Sequence, residues 1–165
     1  MELNEQVINS LLLPMNGFHI ILPQAMVAEI THRPESASAC EYTAGWFKGL
    51  FHWRSEQVPL ISFEGLCDRE DGRAHKSMRI AIIHALEGIS NLVFYAFELR
   101  AIPHPLTLRR DSLQRVRDKA GDCDYIASNA LFGGHKAVIP NLQQIEQKLY
   151  EQLEMGRQTK VKIAG

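Results

Sequence analysis

The chain is short of cysteine: Cys40, Cys67 and Cys123 are an odd number, far apart and without a CxxC pair. Neither a disulfide framework nor a zinc knuckle is expected from them, and reduced cytosolic thiols are the reading. It also lacks an excess of either charge, with 18 basic and 19 acidic residues mixed along its length. That excludes the basic footprint a phosphate backbone needs, so no nucleic-acid partner is expected. No apolar run reaches membrane-spanning length, so no membrane insertion is expected. The opening "MELNEQ" has neither a positive flank nor a small-residue cleavage site, and a cytoplasmic protein is expected.

Catalytic signatures are equally scarce. Seven histidines, His19, His32, His52, His75, His84, His104 and His135, form neither HxH nor HExxH, so no metal site is expected. Ser36, Ser38, Ser55, Ser90 and Ser128 lack a G-x-S-x-G elbow, and no cysteine has an activating motif. "FGGHK" (132–136) lacks the first glycine and the Ser/Thr of a phosphate loop, and a hairpin turn accounts for it better. "DREDG" (68–72) lacks the late glutamate of a calcium loop. The reading is therefore a binding module, not an enzyme, with no cofactor.

What is present is globular: 45% apolar and 22% charged residues, enough for one ordinary domain or two small lobes sharing a core. Short apolar segments alternate with turn residues. Val7–Met15 and Phe18–Pro23 flank Asn16-Gly17, a strong hairpin signal. The runs Met78–Leu86 and Asn91–Leu99 are nearly continuous in apolar residues, as in strands buried on both faces. His32–Glu41, Leu66–Lys76 and Leu106–Asp124 read as loops, the last with room for a helical turn or short strand. One segment reads as helix: Asn141–Glu154, with Leu142, Ile145, Leu149 and Leu153 at helical spacing and Asn141 as N-cap. The domain is expected over 1–154, with 155–165 a flexible tail.

A weak internal repeat sharpens this. "GLFHWRSEQVPLISF" (49–63) lies over "SNALFGGHKAVIPNL" (128–142) at one constant offset, setting Trp53 on Phe132, Ser55 on Gly134 and Phe63 on Leu142. Two related β-lobes are expected, each with its own hairpin.

These residues carry a resemblance. "FKGLFHWRSEQVPLISF" resembles the CheW-like domain pattern of glycine, apolar strand, Arg-Gly, then a strand with Val-Pro, with Gly49, Arg54, Val58 and Pro59 on the marked positions. "ILPQAMVAEI" is similar to its Leu-Pro…Val-x-Glu segment, with Leu22, Pro23, Val27 and Glu29 in register. "YIASNALFGGHKAVIPNLQQIE" resembles its last hairpin and terminal helix. Within the family the chain looks most similar to coupling proteins of the pilus chemosensory systems that govern twitching motility, the ChpC type. Departures are Ser55 for the glycine after the arginine, Ser62 and Asn141 for aspartates, and Ser128-Asn129 for a glycine.

The resemblance implies an all-β fold: two small five-stranded SH3-like β-barrel lobes around a shared apolar core, with a C-terminal helix. It implies a non-catalytic adaptor between the cytoplasmic tip of a methyl-accepting chemoreceptor and the regulatory domain of a CheA-type histidine kinase. It places Glu29, Gly49 and Arg54 at positions of protein contact. From the residues alone, Arg54 either meets carboxylates of a partner helix or closes an internal pair with Glu29 or Glu56. Gly49 reads as a backbone position that permits a bulge or close packing. Trp46, Phe47, Phe51 and Trp53 share a strand and are expected in the core unless one face is wet. The competing reading is an SH3-like peptide-binding barrel outside any receptor-kinase array.

Overall fold

The Asn16-Gly17 turn joins the first two strands as expected. The computed structural model describes residues 6–35, 45–69, 79–86, 91–117 and 123–164, with side chains as far as 158. In it β1 (Val7–Pro14) and β2 (His19–Pro23) pair antiparallel. The Met15 amide donates to the Phe18 carbonyl at 2.9 Å across the turn, and Gly17 takes φ +78, a conformation that side chains resist. A 3-10 turn, Gln24–Met26, then leads into β3 (Val27–His32).

Next come the hairpin β4 (Phe47–Trp53) and β5 (Glu56–Ile61), and the single-turn helix α1 (Phe63–Leu66). The two long apolar runs form β6 (Arg79–His84) and β7 (Phe94–Leu99), buried over nearly their whole length. The segment read as a loop from Leu106 to Asp124 instead supplies most of β8 (His104–Arg109) and the short β9 (Gln114–Val116). Both are largely exposed and polar on the outside, which is why no apolar run announced them. A second hairpin, β10 (Ile126–Phe132) and β11 (His135–Pro140), precedes helix α2 (Leu142–Ala164).

The strands make two sheets, β8-β1-β2-β11-β10-β9 and β3-β6-β7-β5-β4. The fold is thus the expected two-lobed, mostly β architecture with one terminal helix, except that β9 adds a sixth strand to the first sheet. The chain passes from the first lobe to the second and back once. After the β1–β2 hairpin it crosses to add β3 to the edge of the second sheet. After β6–β7 it crosses back to add β8 to the edge of the first. In each sheet one hairpin lies parallel to the other: β11 beside β2, and β5 beside β7. The strands of the second sheet, β3 to β7, are therefore one continuous piece of sequence inserted between β2 and β8 of the first.

Both sheets curl on themselves. Residues 110–113 alone separate β8 from β9, the outer strands of the first sheet. That link spans at most about 17 Å, whereas outer strands of a flat six-stranded sheet lie about 24 Å apart. In the second sheet, side chains of β3 and β4, again the outer strands, bond to each other directly.

The core has three parts. Leu13, Ile20, Phe47, Ile61, Phe63, Ile83, Tyr95, Phe97 and Val138 join Ile145 and Leu149 of α2 in one cluster shared by both lobes. Each lobe adds a smaller cluster, Phe51, Val58, Leu60, Ile80, Ile82 and Ala96 in one, and Ile21, Leu108 and Ala137 in the other. Among the described residues two carboxylates, Glu64 and Glu146, are buried, and both are hydrogen-bonded. Glu64 of α1 accepts from the Asn16 amide at 2.7 Å and from Arg100 Nε and Nη2 at 3.0 and 3.2 Å, tying the first turn to the crossover after β7. Glu146 of α2 accepts from the Leu86 amide at 2.7 Å and the Tyr95 hydroxyl at 3.3 Å.

Two expectations are revised. Cys67 and Cys123 are not free thiols: they form a disulfide, with Cα atoms 5.5 Å apart. Their separation of 56 residues hid the pairing, since only folding brings the end of α1 to the start of β10. The helix expected over Asn141–Glu154 runs on to Ala164, so residues 155–164 are helical. Cys40, Ser36, Ser38, Ser90, His75 and most of "DREDG" lie outside the described residues, as do most of the loops His32–Glu41 and Leu66–Lys76. Among the described residues no helix is long and apolar enough to cross a membrane.

Candidate docking surface

The β4–β5 hairpin turns on two residues. Trp53 and Glu56 are the last pair of its ladder, and Arg54 and Ser55 between them have φ +47 and +65. Positive φ at both central positions matches the twist of the flanking strands but strains any residue with a Cβ. The second hairpin repeats this geometry with Gly133 and Gly134 at φ +53 and +81.

Its tip is tied to β3. Glu29 Oε2 accepts from the Trp53 indole N–H at 3.2 Å and from Arg54 Nη2 at 3.3 Å. The Arg54 guanidinium carbon stands 4.4 Å from the Trp53 ring centroid, a cation–π contact. Trp53 meets Phe94 edge to face at 4.9 Å, and Phe94 lies 5.3 Å from His84. A continuous row, His84, Phe94, Trp53, Arg54 and Glu29, therefore lines one rim of the second lobe. Val93 beside it is 49% exposed.

The internal pair of Arg54 is thus with Glu29, not Glu56. It leaves the arginine side chain 69% exposed and Glu29 36% exposed, so solvent screening makes the pair worth little in stability. It fixes the direction of the guanidinium and leaves most of its donors facing outward. The bond to Trp53, which is half-buried, is the firmer link between β3 and β4.

Gly49 does not join this group. It is buried in β4, five residues before the tip, with φ +113, where the pairing shifts register between Phe47 and Gly49. Its role is the bulge, which turns Trp46 and Phe47 together into the core, 8% and 4% exposed. Trp46, Phe47 and Phe51 are core residues, while Trp53 sits at the rim. Phe94 and His84 were not singled out from the sequence, because they pack beside Trp53 only once β6, β7 and β4 share a sheet.

Three histidines, His19, His104 and His135, cluster on the first sheet. His19 and His135 rings lie 6.3 Å apart, and burial with the two like neighbours pushes His19 below its ordinary 6.5. Among the described residues no group of three or more His, Cys, Asp and Glu is placed to hold a metal ion.

Comparison with known proteins points the same way as the fold. The family model described as CheW-like domain matches residues 10–149. The scaffolding protein TtCheW from Thermoanaerobacter tengcongensis superposes with a TM-score of 0.68 at 14% identity, over 86% of this chain and 89% of that one. No curated protein matches the chain in sequence.

Proposed function

The chain belongs to the CheW-like domain family, and we propose on that basis that it is a non-catalytic cytoplasmic adaptor that couples chemoreceptors to a CheA-type histidine kinase. The observation that carries this reading is the presented hairpin tip. Arg54 is held over Trp53 by Glu29 with most of its guanidinium exposed. A pre-oriented guanidinium beside an aromatic ring suits the carboxylates and apolar side chains of a partner helix. Glu29 and Arg54 would act together in this contact on the receptor side. Gly49 would act only through the backbone path that places the strand. The kinase would dock elsewhere on the molecule. Placement in a pilus system that controls twitching motility rests on the overall resemblance to coupling proteins of the ChpC type and is the finer part of the proposal.

The test is calorimetric titration with the cytoplasmic receptor tip and with the kinase regulatory domain. Wild type is expected to bind both. Arg54→Glu is expected to keep the kinase and to lose at least tenfold in receptor affinity, roughly 1.4 kcal/mol. A folded wild type that binds neither partner would sink the coupling role.

A further inference from the structure

None of the six strands of the first sheet holds an Asp or Glu, although the chain as a whole has nearly equal numbers of both charges. They hold His19, His104, Arg109, Arg115, His135 and Lys136 instead. The strands of the second sheet include Glu29, Glu56 and Glu98. Strands without carboxylates are thus a property of one lobe.

The three histidines share one face and one end of that sheet. Leu12, Ile21, Ala137 and Phe132 pack in the small cluster of this lobe. His19 and His135 stand two residues before Ile21 and Ala137, and His104 lies opposite Leu12 in the ladder. Strand alternation therefore turns all three imidazoles to the side of that cluster. The His19 and His135 rings are 6.3 Å apart, and His19 feels the charge of both others. The place corresponds to the Arg54 rim of the second lobe. By strand pairing, His104 takes the ladder position of Glu29, His19 that of Phe94 and Phe132 that of Trp53. Where the second lobe ties its tip with a carboxylate, the first therefore has an imidazole.

We propose that this tip docks an acidic segment of a partner protein, with His19, His104 and His135 meeting its carboxylates, and that it binds more tightly as pH falls. A protonated imidazole donates a charge-assisted hydrogen bond to a carboxylate, which a neutral one does not. Burial and the two like neighbours push His19 below its ordinary 6.5, and an incoming carboxylate acts against both by favouring the charged form. On the same face β9 adds Arg115, opposite Ala130, while β1 and β10 have no charged residue. Arg109 and Lys136 alternate to the other face, next to Leu108 and Ala137 of the cluster. Glu64, which accepts from the Asn16 amide of the adjoining turn, is already paired with Arg100. Asp111 follows Arg109 and Arg110 in the link after β8, and the link from β9 into β10 meets the ends of those strands remote from the tip. The proposal does not rest on the receptor role of Arg54.

The experiment titrates the full chain with a hexaglutamate peptide by calorimetry at about pH 5.5 and about pH 8, on either side of the ordinary histidine value, at equal ionic strength. Affinity is expected to be roughly tenfold higher in acid, as three weak exposed ion pairs allow. His104→Gln/His135→Gln changes exposed residues only and should cut that gain to about threefold or less. His32→Gln/His52→Gln removes as many exposed histidines from the second lobe and should keep the full gain. No binding at either pH, equal affinities at both, equal losses in the two variants, or tighter binding of a short oligothymidylate than of the peptide would each overturn the proposal.

Discussion

Arg54 and Ser55 sit in left-handed backbone where the matching turn of the second hairpin has two glycines. The CheW-like pattern carries glycine after the arginine, and Ser55 adopts that conformation with a Cβ. Ser55→Gly is therefore expected to stabilise the chain by roughly 0.5–1 kcal/mol after the greater chain entropy of glycine is set against the relieved strain. Urea unfolding would show this as a higher midpoint at unchanged slope. A lower midpoint would mean that the serine side chain does something at the tip that the backbone does not reveal. Two other departures preserve chemistry. Ser62 and Asn141 replace aspartates, yet each caps a helix: the Gly65 amide donates to Ser62 Oγ at 3.0 Å and the Gln144 amide to Asn141 Oδ1 at 3.3 Å. All three residue types accept the same orphan N–H. Arg54 was legible in the sequence because a lone arginine between two apolar strands falls on a turn. Its anchorage was not, since Glu29 lies on another strand and either Glu29 or Glu56 would have served.

At the scale of elements, the repeat read from the sequence is real geometry. The register shifts lie between Phe47 and Gly49 in one hairpin and between Ile126 and Ser128 in the other. The positive-φ pairs are 54–55 and 133–134, and the helix caps are Ser62 and Asn141. All three features fall at the one offset found in the sequence. They recur because a bulge, a tight turn and a cap each constrain residue type locally, whatever the tertiary surroundings. For α2 the cap is one end of the argument, and Asn141→Ala is expected to cost about 1 kcal/mol, read by thermal unfolding. The buried face is the other. Burial holds the Glu146 carboxyl above its ordinary 4.5, against the bonds from Leu86 and Tyr95 that favour its charge. The folded chain then keeps this proton at pH values where the unfolded chain has lost it. The stabilisation is complete below about pH 4.5 and is lost as pH rises through the folded value. Glu98, also raised by burial, adds a slope of the same sign. Glu146→Gln should flatten the fall in stability between acid and neutral pH. A slope unchanged from wild type would show that Glu146 titrates like an exposed carboxylate.

For the whole molecule, the shared cluster makes the two lobes one folding unit. Trp46 lies in that cluster and Trp53 at the rim of one lobe, so they report different places. Their fluorescence is expected to change in a single coincident transition, checked with Trp46→Phe and Trp53→Phe variants. Separate midpoints would mean that the lobes unfold independently. Reduction of the disulfide should lower stability by up to about 4 kcal/mol, since it opens a loop of 56 residues. Calorimetry with and without a dithiol would read the loss, and an unchanged Tm would place the bond outside the cooperative unit.

Local pattern therefore determined the strands with apolar runs, the turns at Asn16-Gly17 and Arg54-Ser55, the N-cap at Asn141 and the likeness of the two hairpins. In each case the cause lies within a few residues: side-chain periodicity, tolerance of positive φ, or an amide needing an acceptor. Only the tertiary structure decided the placing of β3 and β8 on the sheet edges, the pairing of Cys67 with Cys123, the burial of Glu64 against Arg100, and the row from His84 to Glu29. Those contacts join residues distant in sequence and carry no period of their own. They exist because two curled sheets must share one apolar core, and closing that core brings strand edges, charges and sulfurs together that no local rule relates.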